Sequence, residues 1–179
     1  MKKIGLIVTA ILTIFFSANI NAQTETSEKI NWLTFEDAIK LNQKNPKKIF
    51  IDVYTEWCGW CKKMDQTTFL DKEVIAYMNE NFYAVKFDAE QTESVEFMGY
   101  TFVNPNPLGS KKGTHQLASA LLQGKMSYPS YVFMNEQNAG ITVLPGYVNA
   151  EQLLNALRYI ATNAYLDTRW EDFTKQSNK

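Results

Sequence analysis

The residues best suited to chemistry are Cys58 and Cys61, in the run Trp57-Cys58-Gly59-Trp60-Cys61. The chain has 179 residues, no other cysteine and a single histidine, His115. Two intervening residues let both sulfurs meet within the first turn of a helix. A thiolate is the reactive form of cysteine, and the free amides and partial positive charge of a helix N-terminus favour it. Cys58, at the exposed start of such a helix, is the expected nucleophile. Cys61, facing inward, is the expected resolving thiol. Two blander readings of this spacing stay open: a static structural disulfide, and half of a metal site completed by another chain. Two cysteines and one histidine cannot by themselves supply four zinc ligands, and no metal is expected. Trp57 and Trp60 are either ordinary half-buried aromatics or an apolar rim for a polypeptide substrate. His115 reads as a surface residue at the start of a helix.

The elements that must position this motif follow from periodicity. Ile49–Tyr54 is a nearly continuous apolar run of strand length, as in strands covered by helices on both faces, and Asp52 is its one charged residue. Helical spacing begins after Trp57 and continues to Phe82, with a break near Thr67–Asp71. Phe82–Asp88 reads as a second central strand. Thr34 with Asp37 caps a helix over 35–44. Val95–Val103, with Gly99 at its middle, reads as a small hairpin, and Asn104–Gly113 as a loop. Thr114 is placed to cap a short helix through Leu117–Leu122. Tyr131–Met134 and Ile141–Leu144 form a strand pair, Asn149 with Gln152 opens a clear helix, and Tyr165, Trp170 and Phe173 suggest one more. The order predicts an α/β fold with a mixed sheet sandwiched by helices.

Hydrophobic residues make up 45% of the chain and charged residues 21%, with a formal net charge of -1. Such a near-neutral surface has no electrostatic footprint for nucleic acid. Residues 1–22 carry Lys2 and Lys3, an apolar run Ile4–Phe16 and a small residue, Ala22, at the end. This is the layout of a secretory signal peptide cleaved after Ala22, the alternative being a retained anchor. The expected organisation is a signal peptide over 1–22, a flexible leader over 23–29, one domain over 30–164 that includes the hairpin and loop of 95–113, and a helical extension over 165–179. Export to a periplasm or beyond the cell would let disulfides persist.

In order along the chain, Asp52 lies six residues before Cys58, Lys62 follows the motif, Lys86 lies on the next central strand, Tyr128-Pro129 precedes a strand, and Gly146 precedes a helix. Through these features the chain resembles the thioredoxin superfamily over about residues 30–163. The stretch CGWCKKMDQTTFLDKEVIAYMNENFYAVKFDAE is similar to an exported bacterial branch that includes the C-terminal domain of the membrane disulfide-interchange reductase. One departure is Trp60, where classical thioredoxin has proline, so its potential of about −270 mV is not expected to carry over; another is 95–113, a hairpin and loop inserted beyond the minimal fold before the Tyr128-Pro129 segment.

The resemblance implies a thioredoxin-like fold and thiol–disulfide exchange without a cofactor. It implies that Asp52, moderated by Lys86, is a buried acid that takes the proton of Cys61. It implies a cis bond before Pro129, with the Tyr128 backbone pairing an extended substrate beside Trp57, Gly59 and Trp60. The implied partners are disulfide-containing proteins and a membrane or exported thiol donor, with the protein as a monomer and the reductive direction favoured. The alternative is a binding or accessory module of the same fold with a static disulfide.

Overall fold

The computed structural model describes residues 29–108 and 113–177. The expected signal peptide and most of the leader lie outside the described residues. In chain order the elements are β1 (Trp32–Leu33), α1 (Phe35–Lys44), β2 (Lys48–Tyr54), α2 (Gly59–Gln66), a 3₁₀ turn (Thr68–Leu70), α3 (Lys72–Asn81) and β3 (Phe82–Asp88). There follow β4 (Val95–Phe97), β5 (Tyr100–Phe102), α4 (Gln116–Leu121), β6 (Ser130–Met134), β7 (Gly140–Pro145), α5 (Ala150–Ala161), a second 3₁₀ turn (Ala164–Leu166) and α6 (Trp170–Ser177).

A five-stranded sheet in the order β1-β3-β2-β6-β7 forms the middle layer. β1, β3 and β2 are parallel, and β6 and β7 are added antiparallel, so the sheet is mixed. The continuous apolar run of β2 has the expected cause: both faces of this central strand are covered. Phe50, with Tyr131 and Phe133, faces Met64 of α2, Phe69, Met78 of α3 and Leu157 of α5. Ile49, Ile51 and Val53 face Phe35 and Ala38 of α1 and Leu117 and Ala118 of α4. Strand alternation therefore puts Asp52 on the Phe50 face, beneath α2.

Local chemistry sets the ends. Thr34 accepts the amide of Asp37, and Asp71 accepts those of Glu73 and Val74, restarting the helix after the break at 67–71. Asn149 and Gln152 form the expected capping box on α5. The β4–β5 hairpin turns through Met98 and Gly99 at φ 51° and 78°. Positive φ at both central residues matches the right-handed twist of the two strands. Trp170 and Phe173 of α6 pack on Tyr159 of α5 at 5.3 and 5.1 Å between ring centroids.

Two expectations need correction. The cap of α4 is His115, not Thr114: Nδ1 of His115 accepts the Leu117 amide at 3.1 Å. His115 is also not a surface residue. It is fully buried against Phe87, with Nε2 at 3.1 Å from the Glu93 carbonyl, and burial lowers its pKa from the ordinary 6.5. A neutral ring offering one donor and one acceptor satisfies both contacts, which lets a titratable side chain occupy a core position.

Candidate functional site

β2 ends at Tyr54 and α2 begins at Gly59, so the motif occupies the turn from the central strand into a helix. Cys58 is the N-cap of α2, and its Sγ accepts the Cys61 amide at 3.0 Å. Cys58 and Cys61 are joined as a disulfide with Cα atoms 5.3 Å apart. The contrast between an exposed and an inward cysteine is weaker than expected: Cys58 is 5% exposed and Cys61 3%. The disulfide draws both sulfurs against the helix start. Gly59 is exposed, and nothing lies within 4 Å of where a Cβ would stand.

Large aromatic side chains surround this buried disulfide. Trp57 and Trp60 are 65% and 61% exposed, far more than half-buried packing residues would be. Trp57 stands edge-on to Tyr128 at 5.8 Å, and its indole Nε1 donates to Glu90 at 2.9 Å. Trp60 lies 5.4 Å from Tyr147. The Tyr128–Pro129 peptide is cis, as the resemblance implied. The Trp57–Tyr128 contact brings this loop to the motif. Glu90 and Tyr147, which support the two indoles from behind, were not singled out by sequence reasoning; Tyr147 directly follows Gly146.

Below the motif, Asp52 is 1% exposed and pairs with Lys86 in register across β2 and β3, the ammonium 3.2 Å from Oδ2. Its other oxygen, Oδ1, has no hydrogen-bond partner, and neither does the buried hydroxyl of Tyr131, its cross-strand neighbour on β6. Burial therefore dominates and raises the Asp52 pKa from 3.8 to about 6, against the opposing pull of Lys86. The Tyr131 hydroxyl is pushed up by burial and by the Asp52 charge.

Lys86 also pairs with Asp65 of α2, and its ammonium lies 5.0–5.3 Å from the rings of Trp32, Tyr54 and Phe69. Asp65 is four residues after Cys61, on the same face of the helix. One ammonium thus ties the buried carboxylate to the helix that carries both cysteines. The helical spacing of Asp65 from Cys61 was the available signal; its convergence on Lys86 is a tertiary fact. Among the described residues no cluster of three or more His, Cys, Asp or Glu side chains could hold a metal ion.

The sequence model of the thioredoxin-like domain matches residues 35–161, and the chain belongs to that family. Within the matched domain, the Cys58–Cys61 disulfide sits at the start of α2. Among curated proteins, spermatogenesis-associated protein 20 of Rattus norvegicus is 31% identical over 81 residues, 45% of this chain and 10% of the relative. The thiol:disulfide interchange protein DsbD of Colwellia psychrerythraea is 25% identical over 100 residues, 48% of this chain and 16% of the relative. The chain thus spans a small fraction of the length of these relatives. Among solved structures, a thioredoxin-fold protein from Helicobacter pylori superposes with a TM-score of 0.56 at 24% identity, covering 74% of this chain and 80% of that one. A thioredoxin from Thermus thermophilus gives 0.55 at 16%, covering 74% and 87%. Both support the fold.

Proposed function

We propose that the protein is an exported thiol–disulfide oxidoreductase that reduces disulfides in polypeptides, with Cys58 as nucleophile and Cys61 as resolving thiol. The observation that carries this reading is the Cys58–Cys61 disulfide at the N-terminus of α2, with the Cys61 amide directed at the Cys58 sulfur. After reduction that amide favours a thiolate at Cys58. The thiolate attacks one sulfur of a substrate disulfide, forming a mixed disulfide and releasing the other substrate sulfur as a thiolate. Cys61, having lost its proton, attacks the Cys58 sulfur. The second substrate thiolate leaves, so two electrons have passed to the substrate and the Cys58–Cys61 bond is restored.

Asp52 is the acceptor for the Cys61 proton in this scheme, since a carboxylate with a pKa of about 6 can take up and release a proton near neutrality. Lys86 keeps enough positive charge beside it for that pKa to stay in range. Trp57, Trp60, Gly59 and the Tyr128–Pro129 loop form the surface that receives the substrate segment. The reductive direction rests on the resemblance to the membrane disulfide-interchange reductase and export on residues 1–22, and an exported or membrane thiol donor would regenerate the dithiol of a monomeric protein.

The test is catalytic reduction of insulin with dithiothreitol as donor, beside the reduction potential of the Cys58–Cys61 couple. Turnover that is lost in Cys58→Ser, with a potential more negative than the substrate's, is the expected result. A stable disulfide that never turns over would leave the static module as the better reading. Cell fractionation and N-terminal sequencing test export, with a mature terminus at Gln23 expected.

A further inference from the structure

An indole that is 65% exposed has little packing to hold it, so the position of Trp57 depends on its few directed contacts. These are the Tyr128 ring edge and the hydrogen bond to Glu90. Glu90 lies just beyond β3; its amide donates to Asp88 Oδ1 at 2.9 Å, and its carbonyl is held from 95–113, the insertion that the thioredoxin resemblance leaves without a role. Asn104, 5% exposed, donates through Nδ2 to the carbonyls of Glu90 at 3.2 Å, Gln91 at 3.1 Å and Gly113 at 2.7 Å. Its Oδ1 accepts the Asn106 amide at 3.0 Å. The packing is so close at Gly113 that a Cβ there would stand 2.6 Å from the Asn104 oxygen. Just beyond the insertion, the His115 amide donates to the Ala89 carbonyl at 2.7 Å.

The insertion thus grips one support of Trp57, the 89–91 segment, through Asn104. We propose that Asn104 and Glu90 are positioning residues that fix the Trp57 wall beside Cys58 and so set specificity for extended polypeptide substrates. This rests on the exchange reading given above. A protein disulfide must lay a chain segment along that wall, whereas a small disulfide reaches the sulfurs without it. Asn104 and Glu90 therefore govern discrimination between the two, and leave the sulfur chemistry alone.

The test uses the full chain with insulin and hydroxyethyl disulfide as substrates. Asn104→Ala and Glu90→Ala should lower kcat/KM for insulin about fivefold, chiefly through KM, the effect of losing the one hydrogen bond that holds the Trp57 indole. Rates with hydroxyethyl disulfide should stay within about twofold. Glu90→Gln, which keeps an acceptor for the indole, should recover most of the loss. In a Trp57→Phe background neither substitution should have a further effect, because both act through the same ring. Equal losses on both substrates, or losses undiminished without Trp57, would overturn the proposal.

Solvent exchange of the Trp57 indole N–H, followed by NMR, is a readout independent of turnover. It should speed up in Glu90→Ala and in Asn104→Ala. Unchanged exchange in both would refute the coupling even if the enzyme is active. Faster exchange in a wild-type background that reduces neither substrate would instead sink the exchange reading and leave the coupling standing.

Discussion

Removing the Asp52 carboxylate should stabilise the protein at neutral pH and destabilise it in acid. The folded state holds the Asp52 proton more tightly than the unfolded chain, with pKa values of about 6 and 3.8. A group raised in this way contributes most to stability below the unfolded value, and that contribution is lost as pH rises through the folded one. At about 1.4 kcal/mol per pKa unit, the ionised carboxylate costs about 3 kcal/mol at pH 7.5. Asp52→Ala relieves that cost but leaves a small void worth about 1 kcal/mol. Lys86 retains Asp65 as its partner. The expected net effect is a gain of about 2 kcal/mol at pH 7.5, or about 4–8 °C in Tm, and a loss of about 0.5 kcal/mol near pH 4. Urea unfolding of the oxidised protein at both pH values measures the two numbers, and the variant should also resolve mixed disulfides more slowly. A variant that is less stable at pH 7.5, or whose difference from wild type does not change sign with pH, would refute the reasoning.

Opposite shifts are expected from the two charges on α2 and β3 that act on Asp52. Lys86→Met removes the ammonium that lowers the Asp52 pKa and should raise its titration above about 6, whereas Asp65→Asn removes a charge that raises it and should lower the titration; carboxyl ¹³C NMR reads both directly, and shifts of the same sign would contradict the shared-ammonium geometry. His115 is held below its ordinary pKa of 6.5, so the unfolded chain protonates first and stability attributable to it is lost as pH falls below about 6.5. His115→Asn keeps a capping side chain and removes that titration, so the variant should lose less stability than wild type between pH 7.5 and 5.5 in urea unfolding. A wider loss in the variant would mean that the buried ring is not held neutral.

The parts of the fold readable in the sequence were those that periodicity and capping encode locally. Thr34, Asn149 and the apolar run of β2 mark their elements because each satisfies its own amides or fills its own two faces. The cysteine motif could be placed at a strand-to-helix turn for the same reason, and Asp52 stood out as the lone charge within a buried strand. What could not be read depends on distant segments meeting. Asp65 and Glu90 look like solvated carboxylates until α2 and the end of β3 bring them to Lys86 and Trp57. His115 looks like a surface residue until the Glu93 carbonyl and the Leu117 amide supply both of its partners. Thr114 was the better cap by residue type, but a buried imidazole nitrogen one residue later took that role. The near-equal burial of Cys58 and Cys61 also had no sequence signal, because it belongs to the folded turn with the disulfide closed.

The central claim is that Cys58 attacks and Cys61 resolves, and trapping of mixed disulfides tests it most directly. Cys61→Ser and Cys58→Ser proteins are each exposed to disulfide-bearing polypeptides and analysed by non-reducing electrophoresis with mass spectrometry of the adducts. Cys61→Ser should accumulate covalent complexes through Cys58 that disappear on reduction, because the thiolate at the start of α2 still attacks but nothing releases the product. Cys58→Ser should accumulate far fewer. Equal trapping by the two variants would contradict the assignment of the nucleophile, and no complexes from either would contradict the exchange chemistry itself.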